Sequence, residues 1–476
     1  MHRRTKIVAT IGPASEDEAT LRSMIRAGMD VARLGLAHNS VDEALERFHR
    51  IRSVSRDEGR RVGILVDLPG PKVRAGNFGE SGVDVPTGGT IELRVGEASS
   101  TSDVIEVDYE FLMRDIQVGD RVTIGDGGAV LEITDKQVDK MLANVIAGSR
   151  LRGRPGVHIP SDRLQIPTPT PEDFIALDAF VDAGVDMVAV SFVRSAHDMR
   201  RVGTEPHPRG PLLIAKIETR AAVENLPGII EASGAVMVAR GDLGNECSLE
   251  DLPHLQKDII RQCIAGGRPV ITATQMLESM VTSPAPTRAE ASDVANAVFD
   301  GSSAVMLSGE TAVGADPTNV VHTMSRIARR ADEEMDYDQW ARKVAELRMT
   351  DEGAEPASVT DAMTMAAWRA AGELGVKNVL CISGSGFTVR SMARFRPEAN
   401  ILGFSTNEAT VQQLTLSWGT TPMLMQQGGS NEEMVLEAIR LAKESGLVRA
   451  GELVGVLAGN DSRSQATNVL RIERVS

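Results

Sequence analysis

Length, composition and charge exclude several classes of protein. The chain has 476 residues, of which 42% are apolar and 25% charged, and its net charge is −15. This is an ordinary globular balance with room for two or three domains, and its acidity disfavours both nucleic acid and anionic lipid as partners. No apolar run is long enough to span a membrane, and three widely spaced cysteines favour a reduced, cytoplasmic compartment.

The chain opens with three short strand patterns separated by helical ones. KIVATIG (6–12), DVARLGL (30–36) and VGILVDL (62–68) are almost continuously apolar, as is typical of parallel strands buried on both faces. We interpret the first run as a strand and not a signal peptide, because Gly12-Pro13 soon interrupts it. This segment, 1–69, is predicted to be the first part of a barrel.

Between residues 70 and 166 the pattern changes to short, alternating strands punctuated by glycine, such as GGTIELRVGE and DRVTIGDGG. This pattern is typical of an antiparallel β domain. Because it follows the third barrel strand, we expect a small β-barrel inserted as a lid over the catalytic face. The proline-rich stretch at 159–173 is predicted to be a stiff return linker.

Five further apolar runs complete a count of eight, at 187–193, 212–218, 235–241, 269–275 and 303–309. Eight strands alternating with helices predict an α/β fold, a (β/α)8 TIM barrel whose second part spans 167–345. Residues 346–476 are expected to form a C-terminal α/β domain of regulatory type, with strands NVLCIS, NILGFS, ELVGVLAG and NVLRIERV.

Polar residues end the later barrel strands at regular intervals. Intervals of 24, 32 and 34 residues separate Glu218, Asp242, Thr274 and Ser308, which suits one strand, one helix and two loops each. The carboxyl ends of such strands meet on one face, where barrel enzymes assemble their chemistry. Lys216 lies two residues before Glu218 and should therefore point to the same side of its strand.

Glu218 and Asp242 are hard oxygen ligands, which suit Mg2+ or Mn2+ with positions left open for substrate and water. The alternative is a pair of surface loop acids, which their position beside a lysine disfavours. An ammonium at Lys216 would either complete a structural ion pair or stabilise charge on a phosphoryl group or an enolate.

Two arginines belong to the first half of the barrel. Arg33 lies in the second strand and Arg74 follows the third. Each taken singly is more often part of an ion pair, but together they favour a phosphate clamp. For Ser308 and Glu310 a proton relay and an ordinary capped strand end are equally open.

The words TKIVATIGPAS, VARL, GPKVRAG, SFVRS, AKIE, VARGDLG, ITATQMLESM, PTRAEASDVANAV and MLSGETAVG, in this order, resemble pyruvate kinase. The resemblance covers the barrel, the lid and the C-terminal domain. It implies a glycolytic phosphotransferase that moves the phosphoryl group of phosphoenolpyruvate to ADP, giving pyruvate and ATP. It also implies a cytoplasmic homotetramer.

The resemblance assigns the centre of the site. Lys216 matches the catalytic lysine, and Glu218 and Asp242 match the divalent-metal ligands. The backbone N–H groups of Gly241 and Asp242 match donors to the substrate carboxylate, and Thr274 matches the threonine beside the enolate.

It also assigns the periphery of the site. Arg33 and Arg74 match phosphate-contacting arginines, and Ser308, with Glu310 nearby, matches a serine of the proton relay. Pro13 and His38 lie where the family holds the nucleotide.

Several positions depart from the family pattern. Gly35 and Ala37 offer no side-chain oxygen where a potassium site is expected, and Leu68 replaces a threonine, although Asp67 remains. Lys72 lies where potassium-independent members carry lysine. We therefore expect that potassium is not required and that the Lys72 ammonium takes the place of the ion.

The nucleotide side is also altered. Pro69 and Pro155 replace two lysines expected to face nucleotide phosphates, and His158 replaces an asparagine. Each lost contact is worth about 1–3 kcal/mol. Two alternatives therefore stay open: a diverged paralogue acting on another 2-oxo acid or phosphoryl acceptor, and a binding module without turnover.

A glycine-rich turn opens a helix in the C-terminal domain. Ser383, Gly384, Ser385, Gly386 and Thr388 match the family's sugar-phosphate effector loop, where backbone N–H groups and hydroxyls cradle a phosphate. An ordinary strand-to-helix turn explains the same residues equally well.

Overall fold

The structure is a computed structural model that describes residues 3–37, 40–125, 127–349, 358–459 and 467–476. The chain begins with β1 (Lys6–Thr10), α1 (Glu18–Ala27), β2 (Val31–Gly35), α2 (Val41–Asp57) and β3 (Gly63–Leu68). The strands are those expected from the sequence. α2 begins where Ser40 and Glu43 form a capping box, in which each side chain accepts the other's backbone N–H.

A β domain follows the third barrel strand. It comprises β4 (Val83–Asp84), β5 (Thr90–Val95), β6 (Val104–Val107), α3 (Leu112–Asp115), β7 (Arg121–Ile124), β8 (Ala129–Lys136), β9 (Met141–Ala147), β10 (Arg150–Leu151) and β11 (Val157–His158). Six strands form one sheet in the order β11-β7-β8-β9-β5-β6, and β4 pairs with β10. The expectation of wholly antiparallel pairing is wrong for β5 and β6, which run parallel, because the connection at 96–103 returns the chain to the side of β5 before β6 begins.

Arg74 and Ala75 bring the two edges of this sheet together. Arg74 forms a bridge with Gly156 beside β11, and Ala75 forms one with Val107 of β6. The sheet thereby wraps around its own apolar core, in which Leu93, Leu131 and Ile133 are buried. This wrapping gives the inserted domain the barrel-like form expected of the lid.

The second part of the barrel resumes the alternation of strands and helices. It comprises α4 (Pro171–Asp182), β12 (Met187–Val190), α5 (Ala196–Arg201), β13 (Leu212–Ile217), α6 (Arg220–Glu224), α7 (Leu226–Ala232), β14 (Ala235–Ala239), α8 (Arg240–Glu246), α9 (Leu252–Ala265), β15 (Val270–Ala273), α10 (Arg288–Phe299), β16 (Ala304–Leu307), α11 (Gly309–Ala312), α12 (Pro317–Glu334) and α13 (Tyr337–Met349), with a 3-10 helix at Glu278–Val281. The eight strands β1, β2, β3, β12, β13, β14, β15 and β16 close into a parallel barrel. The predicted (β/α)8 barrel is confirmed.

The C-terminal domain contains α14 (Val359–Leu374), β17 (Asn378–Ile382), α15 (Phe387–Ala393), β18 (Asn400–Ser405), α16 (Glu408–Gln413), β19 (Thr420–Leu424), α17 (Asn431–Glu444), β20 (Leu453–Gly459) and β21 (Thr467–Arg474). Its sheet has the order β19-β18-β17-β20-β21, parallel except for β21. The four predicted strands are present. The sequence interpretation missed β19, since Thr420-Thr421-Pro422 lacks an apolar run and lies at the sheet edge, where proline is tolerated.

The C-terminal domain packs against the amino end of the barrel. Leu416, in a 3-10 helix at Leu414–Leu416, belongs to the apolar cluster inside the barrel. Gly63 permits this approach, because a Cβ there would lie 2.3 Å from Thr415 Oγ1. The C-terminal domain therefore closes the base of the barrel, while the lid lies at the mouth. Among the described residues, no helix combines the length and the apolar character needed to cross a membrane.

Candidate active site

The mouth of the barrel is lined by a polar layer that follows from strand alternation. Inward-facing Val31, Leu65, Ala189 and Ile214 are buried in the apolar cluster inside the barrel. Side chains alternate along a strand, so the residue two positions further on also points inward. Those next residues are Arg33, Asp67, Ser191 and Lys216.

Lys216 is the hub of this layer. Its ammonium lies 2.7 Å from Glu218 Oε1 and 3.3 Å from Asp67 Oδ1, and it donates a hydrogen bond to Ser191 Oγ at 2.7 Å. Its side chain is only 11% exposed. The lysine is therefore held in one position by partners from three different strands.

The surrounding carboxylates keep this lysine charged. Burial by itself lowers the pKa of Lys216, but Asp67, Glu218 and Asp242 together raise that pKa above its ordinary value. Burial likewise opposes ionisation of Asp67, yet Lys216 and Arg33 hold its pKa below the usual range. Asp67 and Lys216 are thus a fixed anion and a fixed cation at neutral pH.

Glu218 keeps one carboxylate oxygen for a ligand. Its side chain is fully buried, and Oε2 accepts a hydrogen bond from the Phe192 N–H at 2.7 Å. Within the described part of the chain, Oε1 faces only the Lys216 ammonium, at 2.7 Å, and has no further hydrogen-bond donor. Burial raises the pKa of Glu218, and Asp242 adds to this effect against the attraction of Lys216.

Asp242 follows the next barrel strand, but it lies in a helix and not at the strand end that the sequence predicted. β14 ends at Ala239, so Gly241 and Asp242 stand in the first turn of α8 instead of at a strand end. The Gly241 N–H donates to Thr274 Oγ1 at 2.9 Å. In this structure Thr274 therefore takes up one of the two N–H groups assigned to the substrate carboxylate.

Thr274 adopts an unusual backbone conformation. Its φ is 68° and that of Gln275 is 54°. A β-branched residue at positive φ is rare and costs about 1–3 kcal/mol. Arg240 fixes this turn by donating to the Thr274 carbonyl at 2.7 Å. The Arg240 contact thus keeps the turn in its strained conformation, in which the Thr274 hydroxyl lies beside Gly241.

Arg33 is paired inside the mouth. Its Nε donates to Asp67 Oδ2 at 2.7 Å, and Nη1 donates to Thr10 Oγ1 at 2.9 Å. This pairing with Asp67 is the structural ion pair that the sequence analysis gave as the alternative to a phosphate clamp. The remaining donor edge of the guanidinium still lies in the polar layer.

Ser308 and Glu310 belong to the connection after β16. Ser308 is the N-terminal cap residue of α11, and its N–H donates to Glu310 Oε2 at 2.6 Å. Glu310 is fully buried, and its Oε1 accepts from the Leu277 N–H at 3.1 Å. Both oxygens of Glu310 thus hold backbone N–H groups, which positions Ser308.

A cleft of about 290 Å3 lies between the lid and the barrel. Its lining includes the cations Lys72, Arg74, Arg154 and Arg194, together with Asp242 from the barrel mouth. Lys72 is exposed, and among the described residues it has no ion-pair partner. An anion entering this cleft would meet positive charge beside the candidate metal ligand.

Two arginines of this cleft contact the backbone across it. Arg74 donates to the carbonyls of Ala37 and Arg154, at 3.2 and 3.3 Å. Arg154 itself lies 3.4 Å from Asp108 and is largely exposed. Arg74 therefore spans the barrel and the lid.

Glu246, which the sequence interpretation missed, ties the lid to the barrel. Its carboxylate accepts from the Ser161 N–H and Oγ at 2.8 and 2.7 Å, and lies 3.0 Å from His158 Nε2. It also accepts from the Arg220 N–H at 3.0 Å. Burial opposes ionisation, but these hydrogen bonds lower the pKa of Glu246 overall.

The other site residues predicted from the sequence lie apart from this network or are not among the residues that the structure describes. Pro13 is exposed on the loop after β1. His38 lies outside the described residues. The Ser383–Gly386 turn and Thr388 are on the C-terminal domain, where Thr388 Oγ1 is 2.5 Å from Thr467 Oγ1.

Three further residues complete the Lys216 and Glu218 contacts. Ser191 and Phe192 received no role from the sequence, and Asp67 was named only as a remnant of the expected potassium site. Strand alternation from the apolar interior would have identified Asp67 and Ser191 as inward-facing. No comparable signal exists for the Phe192 N–H or for Glu246, since a backbone donor and a loop acid carry no pattern of their own.

A closed (β/α)8 barrel with buried acids and a charged lysine at the carboxyl ends of its strands is the architecture of a barrel enzyme. Comparison with known proteins gives the family. The profile described as "Pyruvate kinase, barrel domain" matches residues 2–321, and "Pyruvate kinase, alpha/beta domain" matches residues 361–473. The chain belongs to the pyruvate kinase family.

Individual relatives agree with this placement over the whole chain. The chain is 37% identical to "Pyruvate kinase" from Bacillus licheniformis, covering 99% of this chain and 80% of that protein. It is 38% identical to "Pyruvate kinase" from Geobacillus stearothermophilus, covering 100% and 81%. A pyruvate kinase structure from Cryptosporidium parvum has a TM-score of 0.90 at 30% identity, covering 100% of this chain and 96% of that one.

Proposed function

We propose that this protein is a phosphotransferase that moves the phosphoryl group of phosphoenolpyruvate to ADP, producing pyruvate and ATP as a step of glycolysis. The observation that carries the proposal is Lys216, a permanent cation held between Glu218 and Asp67 at the barrel mouth. A fixed ammonium that is largely buried is well suited to stabilise charge that develops during transfer.

The donor set fits a divalent cation. Glu218 Oε1 is a buried carboxylate oxygen that faces only the Lys216 ammonium among the described residues, and Asp242 is close enough to affect the pKa of Glu218. One or two carboxylates suit Mg2+ or Mn2+, which keep positions for substrate and water. When bound there, the cation would neutralise charge on the substrate oxygens.

The residues of the mouth would then have separate roles. The Lys216 ammonium would face the phosphoryl oxygens and afterwards the enolate. Arg33 would orient the phosphate through Nη2, which has no hydrogen-bond partner among the described residues. Thr274, fixed by its strained turn, would lie beside the enolate. The N–H groups of Gly241 and Asp242 would bind the carboxylate, which requires Thr274 Oγ1 to release Gly241 on substrate binding.

Ser308 is proposed to carry the proton that reaches the enolate carbon. Its support is the placement of the Ser308 side chain at the end of β16, where Glu310 fixes the backbone by accepting its N–H. We assign Glu310 as the residue that positions Ser308. This assignment gives the buried carboxylate a role without requiring it to reach the substrate.

The cleft between lid and barrel is the proposed ADP site, with Pro13 and His38 also assigned to the nucleotide. Pro155 removes an expected lysine, but the neighbouring Arg154 lines the cleft, as do Arg74 and Lys72. A guanidinium binds phosphate at least as well as an ammonium. Arg154 therefore supports ADP as the acceptor despite the lost lysines.

We further propose that activity does not require potassium. Asp67, the remaining side-chain oxygen donor of the expected potassium site, is already paired with Arg33 and Lys216. The exposed Lys72 ammonium would supply positive charge to the cleft in place of the ion.

The wider assignments rest on family membership. We propose a cytoplasmic homotetramer and a sugar-phosphate effector at Ser383, Gly384, Ser385, Gly386 and Thr388. We also propose domain limits at 1–69, 70–166, 167–345 and 346–476. The effector site is supported by the glycine-rich turn between β17 and α15, where backbone N–H groups at the start of a helix can bind phosphate.

A coupled assay tests the activity. Pyruvate formation from phosphoenolpyruvate and Mg2+ should depend on ADP, and Lys216→Met should abolish it. Phosphate release without ADP would instead favour the diverged paralogue. That alternative stays open because Pro69 and Pro155 stand where the family carries lysines. Binding of phosphoenolpyruvate without any turnover would indicate a binding module.

A further inference from the structure

The base of the barrel contains a second group of buried charges, remote from the mouth. A small cavity lies between the amino end of the barrel and the C-terminal domain, with room for about one water-sized sphere, about 10 Å3. Its polar lining consists of Arg268, Ser303, Arg390, Arg394, Arg396 and Ser417. Four of these six residues are arginines.

Arg390 is the least compensated of these arginines. Its side chain is 3% exposed, and Nη2 contacts His207 Nε2 at 3.0 Å and donates to the Ser385 carbonyl at 2.9 Å. Across the described chain, its buried Nε and Nη1 have no acceptor. Burial, with a further contribution from Arg268, lowers the pKa of Arg390 to about 9. At neutral pH it is therefore a buried cation.

Two acids near the cavity act on other arginines of its lining: Asp361 forms an ion pair with Arg394, and Asp332 raises the pKa of Arg396 against the effect of burial. Among the described residues, no acid acts on Arg390 in this way. Arg396 is 1% exposed, donates to the Gly301 carbonyl and lies over the Trp418 ring at 4.5 Å. Arg268 donates to the carbonyl of Ile230 at 3.2 Å. His207 stays neutral, since burial and then Arg390 lower its pKa to about 3. No acidic residue of the described chain lines the cavity.

The cavity also has an unused hydroxyl. Ser417 Oγ is buried and has no hydrogen-bond partner among the described residues. Hydrogen-bond donors from the barrel and the C-terminal domain thus line a space in which the described residues place no acidic side chain. A buried charge without a counter-charge is destabilising, so an anion there would stabilise the fold.

We propose that this cavity binds one small monovalent anion, chloride, held by Arg390 and Arg268 with the Ser417 hydroxyl as a further donor. Size excludes phosphate, sulfate and carboxylate metabolites, which are far larger than this space, whereas chloride is only slightly larger than a water molecule. The anion joins the C-terminal domain to the barrel base. It lies directly below α15, the helix that follows the Ser383–Gly386 turn.

Crystals of the full chain grown with sodium bromide test the site directly. We expect an anomalous bromide peak inside the cavity, in contact with Arg390. An ordered water without anomalous signal, or bromide peaks at surface arginines alone, would overturn the proposal.

Thermal unfolding supplies a test in solution. The midpoint should rise by about 2 °C, and saturate, as chloride replaces the larger gluconate anion at constant ionic strength. Arg390→Gln should remove this response, while Arg440→Gln, which changes an exposed arginine of the same domain, should keep it.

If Arg390→Gln does not fold, Ser417→Ala provides the second variant. It should raise the chloride concentration needed for half of the midpoint shift. A wild-type midpoint that is the same in both salts contradicts the proposal, and so does an unchanged chloride response in Arg390→Gln or in Ser417→Ala. None of these measurements depends on the proposed enzymatic activity.

Discussion

At the barrel mouth, the buried Lys216 ammonium lies between two carboxylates, whereas at the barrel base the buried Arg390 guanidinium has a neutral histidine and a carbonyl for partners. Both cations are almost completely removed from solvent. The mouth compensates its cation with acids from neighbouring strands, while the base leaves donors around a cavity.

The difference shows two physical uses of buried charge. At the mouth, the internal pairing fixes Lys216 and leaves Glu218 Oε1 available to a ligand. At the base, the described residues present arginine donors to the cavity and no acidic side chain. Charge at the mouth should therefore govern catalysis, and charge at the base should govern stability and its dependence on small anions.

The largest effect is expected from removing the cation of the mouth. Lys216→Met should lower kcat by at least about 1000-fold, because a preorganised charge is lost from the transition state. Steady-state kinetics measures this, with Lys257→Met, an exposed lysine on α9, as the matched control. A Lys216→Met enzyme that folds and keeps more than about a tenth of wild-type kcat would contradict the assignment.

Loss of a proposed metal ligand should be visible without turnover. Glu218→Gln should weaken Mn2+ binding by at least about tenfold, since even indirect partners of a metal contribute that much. Electron paramagnetic resonance of Mn2+ measures the affinity, and Glu432→Gln on the exposed face of α17 is the control. Equal Mn2+ affinity in wild type and Glu218→Gln would place the metal elsewhere.

The exposed charge of the cleft should have a smaller effect. Lys72→Glu should lower activity in potassium-free buffer by about tenfold, equivalent to about 1.4 kcal/mol in the barrier, and added potassium should restore part of it. The wild type should respond little to potassium. A many-fold rise of wild-type activity on adding potassium would refute the substitution of the ion by Lys72.

The smallest effect concerns the attachment of the lid. Glu246→Gln should weaken the hydrogen bonds to Ser161 and His158 and speed amide hydrogen exchange at 157–161 by about tenfold. Glu250→Gln, an exposed neighbour, is the control. Unchanged exchange would mean that other contacts hold residues 157–161 against the barrel.

The same carboxylate gives this attachment a defined pH dependence. The folded-state pKa of Glu246 is below its unfolded value, so its stabilising contribution is complete above the unfolded pKa, about 4.3. The contribution is lost as pH falls through the folded pKa. Protection factors at 157–161, which are corrected for the pH dependence of intrinsic exchange, should therefore decrease in wild type below about pH 4 and show no such change in Glu246→Gln.

Much of the fold was predictable because its signals are local. Eight apolar runs gave the barrel strands, and the change to short alternating strands located the lid. β19 was missed because an edge strand with Pro422 lacks such a run. Asp242 was placed at a strand end although it lies in the first turn of α8, since sequence patterns define the ends of elements poorly.

The sequence alone determined which residue types stand at the mouth, because alternation along a strand fixes the direction of Arg33 and Lys216. Only the tertiary structure decided their partners. Asp67 pairs with both, Glu246 holds the lid, and Arg390 enters a cavity at the barrel base. These contacts join residues far apart in the chain, so they depend on how the strands and domains pack and leave no local pattern.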